Sequence, residues 1–135
     1  MKKVMIAPSK YIQGEGELCR LGEYVQAFGS RALLIASGDT QARVQPLLDE
    51  AQGKTGFELE AGGFNRECCW SEINRLKAVV EEKGCDVIIG LGGGKALDAA
   101  KAVADLANKP VIIVPTIAST DAPCSALAVI YTEQG

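Results

Sequence analysis

The 135-residue sequence contains no histidine. That removes the commonest general base and the commonest catalytic metal ligand from this chain. Charge of one sign is lacking too. Fourteen basic and seventeen acidic residues are interspersed to a net charge of −3, with no basic stripe for nucleic acid and no polybasic run for a membrane surface. No apolar segment approaches a membrane span. The start, Met1 to Pro8, resembles a signal peptide only in its first three residues. A cytoplasmic protein with neither nucleic-acid nor membrane partners is the expectation. Aromatic residues are sparse, at 5%, beside an ordinary apolar share of 47%. The five cysteines, Cys19, Cys68, Cys69, Cys85 and Cys124, form no C-x-x-C, and the adjacent pair does not match zinc spacing. Reduced, buried or incidental thiols are expected.

What is present alternates between two periods. Lys3–Ala7, Ala32–Ala36, Phe57–Ala61, Val87–Leu91, Val111–Val114 and Ala126–Tyr131 read as strands. Val87–Leu91 and Val111–Val114 are apolar at successive positions, as in parallel strands buried on both faces. Between them Leu18, Leu21, Val25 and Phe28 recur at helical spacing, as do Ile73, Leu76, Val79 and Val80 before Gly84. Thr40–Ala51 is a further helix that Pro46 is expected to trim or kink. Leu97, Ala100, Val103, Ala104 and Ala107 give a last helix a small-residue face suited to close packing on a sheet. Strand and helix alternate, so the fold class is α/β, with ligands beyond the carboxyl ends of the strands. The length suits one domain able to bury about two-thirds of its unfolded surface. Ala126–Tyr131, followed by Glu133-Gln134-Gly135, reads as the first strand of a hairpin without its return strand. An unpaired edge and a piece of something longer are expected there.

Two segments carry chemistry. In the first, Gly92, Gly93 and Gly94 join an apolar strand to an Ala-rich helix. Glycines let a ligand approach the backbone, and the first N–H groups of a helix have no intrahelical partners, so the junction suits a phosphate. Neither G-x-G-x-x-G nor the P-loop pattern fits, because Ala96 follows Lys95 where Ser or Thr would bind magnesium. A tight turn without a ligand is the bland alternative. Lys95 sits unfavourably at a helix start unless an anion is near. Asp98 and Lys101, three apart, read most simply as a surface ion pair. The second segment, Val114 to Ser125, is a Pro-bounded loop after a strand. Thr116, Ser119 and Ser125 can bond a nucleotide and Asp121 a polyol hydroxyl, although ordinary loop capping accounts for the same composition.

Pro8–Gly14, Gly92–Lys101 and Pro115–Tyr131 together resemble the iron-containing (group III) alcohol dehydrogenase family, its glycerol-oxidising members above all. The resemblance runs over nearly all of the chain in the same order. The glycine run alone is shared with dehydroquinate synthase and glycerol-1-phosphate dehydrogenase, which differ after Pro115. The resemblance implies a parallel-sheet, Rossmann-like nucleotide-binding domain over residues 1–135, truncated before an all-helical metal-binding domain. It implies metal-assisted hydride transfer from glycerol, or a related small polyol, to NAD, with zinc only in the full-length enzyme. Position by position, Gly93, Gly94 and Lys95 would hold the pyrophosphate and Asp98 would frame the nicotinamide end. Thr116, Ser119, Ser125, Leu127 and Tyr131 would line the cofactor cleft, and Asp121 would contact the substrate. Where the family commonly has an acid for the adenosine ribose this chain has Ser37, with Asp39 nearby as a substitute. A missing acid weakens discrimination against NADP. The family's metal ligands, an aspartate and two histidines, fall in the following helical domain, so this chain alone is expected to be inactive. A stand-alone dinucleotide-binding module, a partner-completing fragment and a homo-oligomer are the other readings.

Overall fold

The computed structural model describes residues 10–13, 21–65, 67–115 and 126–130. Their order is β1 (Lys10–Gln13), α1 (Leu21–Gln26), β2 (Arg31–Ile35), α2 (Gly38–Thr55), β3 (Glu58–Ala61), α3 (Trp70–Lys83), β4 (Val87–Gly92), α4 (Gly94–Ala107), β5 (Val111–Pro115) and β6 (Ala126–Ile130). One six-stranded sheet runs in the order β1-β6-β5-β4-β2-β3. The four strands β3, β2, β4 and β5 are parallel, and β6 and β1 add antiparallel at one side. The fold is α/β, as expected.

Side-chain alternation along the strands separates two cores. Leu34, Ile89, Leu91, Ile112 and Val114 face Val44, Leu48 and Ala51 of α2 and Leu21 and Val25 of α1. Leu33, Ile35, Ile88, Val111 and Ile113 face Ile73, Leu76 and Val80 of α3 and Ala99, Ala100, Val103 and Ala104 of α4. Strands covered on both faces have no polar side, which is why β4 and β5 read as unbroken apolar runs. The small face of α4 lets it lie close to β4. A Cβ added at Gly90 would stand 2.5 Å from Ala100 Cβ.

Two local expectations need correction. Pro46 does not end its helix, because α2 runs on to Thr55 and stops at Gly56, whose φ of 74° is the left-handed cap. Pro46 and Ala42, whose carbonyl loses its partner, both lie on the exposed side of α2, where the missing bond buries no orphan group. The β6 edge is not unpaired, since β1 pairs it from Lys10↔Val129 to Gln13↔Ala126 while β5 pairs its other side. The return strand is thus supplied from earlier in the chain rather than from a hairpin. The described cysteines are free thiols, as expected: Cys85 is buried in the core, and Cys68 and Cys69 are exposed. The expected strand Lys3–Ala7 lies outside the described residues. Among those residues no helix is long and apolar enough to cross a membrane.

Candidate functional site

The carboxyl ends of β2 and β4 lie side by side, with Ile35 opposite Gly90. The chain leaves β2 through Ser37 and β4 through Gly92, and both turns open directly into helices. A cleft of about 280 Å³ lies there, lined by Ser37, Thr40, Phe64, Leu91 and the run Gly92 to Ala96.

The three glycines do different things. Gly92 has φ of 138°, a backbone that L side chains rarely adopt, so the turn itself requires it. Gly93, the N-cap of α4, has an ordinary φ of −90°. A Cβ at Gly93 or Gly94 would meet no heavy atom within 4 Å. Neither conformation nor packing demands glycine at those two positions, and the open space beside them is what a bound group would fill. Leu97 N–H donates to the Gly93 carbonyl at 3.1 Å. The N–H groups of Gly94, Lys95 and Ala96 therefore lack intrahelical acceptors at the positive end of α4. That is the chemistry of an anion cradle.

Lys95 has its anion. Its Nζ lies 3.3 Å from Glu67 Oε2, both side chains being well exposed. The carboxylate comes from the turn after β3, which also presents Phe64 to the cleft. Asn65 Oδ1 accepts from Glu67 N–H at 2.9 Å. Asn65 N–H in turn donates to Glu72 Oε2 at 3.0 Å. Glu72 is only 3% exposed, and Arg75 grips it with two bonds, Nε to Oε1 at 2.9 Å and a terminal nitrogen to Oε2 at 2.7 Å. The Arg75 guanidinium holds the Glu72 carboxyl below the usual carboxylate range; burial works against this and the Asn65 N–H reinforces it. A depressed folded value means the contribution to stability is full above the ordinary value of about 4.3 and is lost as pH falls through the lower folded value. Denaturant melts of E72Q and the parent should differ by roughly 1.5–3 kcal/mol at neutral pH. That gap should close on acidification. A pH-independent gap would contradict the charged pair.

Ser37 has a structural duty as N-cap of α2. Its hydroxyl accepts from Thr40 N–H at 3.4 Å and donates to Thr40 Oγ1 at 3.0 Å. It nevertheless lines the cleft, whereas Asp39 is exposed in the first turn of α2 and Asp98 is exposed on α4, both outside the lining. Among the described residues Asp98 and Lys101 form no ion pair; the lysine of this loop that does pair is Lys95. Thr116, Ser119, Asp121, Ser125 and Tyr131 lie outside the described residues, and of Leu127 only its backbone place on β6 is described. Of the lining residues outside the β4–α4 junction, Thr40 and Phe64 are absent from the sequence-based set. The signal for both was position: each follows the carboxyl end of a parallel strand, where ligands of such sheets bind. Among the described residues, no group of three or more Cys, Asp or Glu side chains is arranged to hold a metal.

The parallel sheet and its helices are similar to those of known proteins. The model of the iron-containing alcohol dehydrogenase family matches residues 8–135. A glycerol dehydrogenase of Escherichia coli O6:H1 is 44% identical over 135 residues, all of this chain and 37% of the relative. One from Thermotoga maritima is 48% identical over 132 residues, 96% of this chain and 35% of the relative. The crystal structure of a probable glycerol dehydrogenase from Sinorhizobium meliloti superposes with a TM-score of 0.71 at 38% identity, covering 91% of this chain and 33% of that one. The chain thus spans about 37% of the length of the first of these relatives. With a family match over nearly every residue and the same fold beneath it, this chain belongs to the iron-containing alcohol dehydrogenase family.

Proposed function

We propose that this chain is the cofactor-binding part of an NAD-dependent glycerol dehydrogenase, which oxidises glycerol to dihydroxyacetone. The observation that carries the reading is the cradle at Gly93 and Gly94, where glycine serves neither turn nor packing and the first three helix N–H groups have no intrahelical acceptor. The similarity to glycerol dehydrogenases over the whole chain supports the substrate. In this reading the backbone of Gly93, Gly94 and Lys95 binds the pyrophosphate. Lys95 exchanges the Glu67 carboxylate for a phosphate oxygen, an exchange between two anions at an exposed site that costs little. Ser37 and Asp39 serve the adenosine ribose and Asp98 the nicotinamide end. Thr116, Ser119, Ser125, Leu127 and Tyr131 complete the cofactor cleft, and Asp121 contacts the polyol. The bound nicotinamide supplies the hydride acceptor. The metal of the family has no donor set among the described residues, and the chain has no histidine. These 135 residues are therefore proposed to bind cofactor without turning it over.

Ser37 gives a test with a clear sign. Asp caps a helix as well as Ser does. S37D should therefore keep the α2 start intact while adding a carboxylate that accepts from a ribose 2′-hydroxyl and repels a 2′-phosphate. Calorimetric titrations should show the ratio of NAD to NADP affinity rising about tenfold in S37D. An unchanged ratio would place the ribose away from Ser37. No binding of either dinucleotide by the parent chain would refute the reading itself.

A further inference from the structure

The buried Glu72 is unlike the other charged groups near the cleft. It lies at the start of α3, its carboxylate is spent on Arg75 and on one backbone N–H, and it does not line the cleft. That N–H belongs to Asn65, the neighbour of Phe64, which forms a wall of the cleft. The same turn is tied at its other end, where Asn65 accepts from Glu67 N–H and Glu67 reaches Lys95. A half-buried aromatic on a turn between a strand and a helix has many available positions, and a bond from a buried charge to its neighbouring amide removes most of them.

We propose that Glu72 is a positioning residue for the dinucleotide cleft, fixing the Phe64 wall through its bond to the Asn65 amide. The proposal rests on the dinucleotide reading above. Glu72 touches no ligand; it acts through Phe64. Arg75 keeps the carboxylate charged and aimed, and the resulting short chain of bonds runs from α3 to the cleft without crossing the core.

A double-mutant cycle separates this role from a general loss of stability, because only residues acting through one another are coupled. NAD would be titrated calorimetrically into the parent chain, E72Q, F64A and E72Q/F64A, with circular dichroism melts confirming that each is folded. E72Q is expected to weaken NAD binding about tenfold in the parent background and less than about threefold once Phe64 is gone. Amide hydrogen exchange at Asn65 should quicken in E72Q. If E72Q does not fold, R75Q removes the half-exposed guanidinium instead, and is expected to weaken NAD binding about threefold. Equal losses in both backgrounds, or unchanged binding in E72Q (or in R75Q, should that replace it), would overturn the positioning role alone. A parent chain that binds no NAD would overturn the dinucleotide reading and this proposal with it.

Discussion

Replacing Gly94 with valine is expected to abolish dinucleotide binding while leaving the chain folded. A Cβ at Gly94 meets no protein atom within 4 Å. The residue is helical rather than left-handed, so the backbone has no need of glycine there. Valine is, if anything, the better helix former, and the melt should move by no more than about 0.5 kcal/mol. Its branched side chain would instead enter the open space beside the helix start, in the cleft that Gly94 lines, and is expected to keep a phosphate from the first N–H groups of α4. Affinity for NAD should fall at least about 100-fold, or about 2.8 kcal/mol. G92V is the control with the opposite signature. At φ of 138° a β-branched residue is strained, so this variant should lose about 1–3 kcal/mol of stability whether or not a ligand is present. If G94V retains affinity, the phosphate sits elsewhere. If G94V unfolds, the cradle is a packing feature after all.

The second large effect is on stability and begins one turn back, inside β4. Gly90 allows α4 to lie against the sheet, where any Cβ would come within 2.5 Å of Ala100 Cβ. Carbon atoms in contact sit at about 3.5–4.0 Å, so α4 would have to move outward by about 1 Å. Ala100 cannot turn aside, having no rotatable bond beyond Cβ. G90V is therefore expected to lose about 3 kcal/mol, roughly 10 °C in melting temperature for a domain of this size. It should also weaken NAD binding, because α4 carries the glycine loop with it. The milder G90A should be partly restored by A100G, which removes the colliding methyl, even though glycine within a helix alone costs about 1 kcal/mol. Additive losses in that pair would contradict the close approach of β4 and α4.

These two glycines show what the sequence could and could not convey. The run from Asp86 to Lys101 was readable as strand, loop and helix because its apolar residues are β-branched before the glycines and small after them. That three glycines carry two separate duties was not readable, since φ at Gly92 and open space at Gly93 and Gly94 are properties of the folded backbone. The pairing of β6 with β1 joins residues more than a hundred positions apart, and no local pattern specifies such a contact. Pro46 misled because its effect depends on which side of the helix loses the bond, and it falls on the solvent side. Ser37 showed only as the place where an acid was missing. Its second duty as a cap needed the geometry at Thr40. Phe64 went unnoticed because one aromatic after a weak strand has no periodicity. The bond that ties its turn to Glu72, in the first turn of the next helix, is a property of the folded chain that no sequence pattern marks.

The central claim is that the glycine loop between β4 and α4 grips the cofactor through its backbone. The amide resonances of the ¹⁵N-labelled chain, followed as NAD is added, test it most directly. The expected result is saturable movement of the Gly93, Gly94 and Lys95 amides, with Gly84 at the opposite end of the sheet unmoved. Saturable movement elsewhere with these three amides still, or no movement at millimolar NAD, would contradict it.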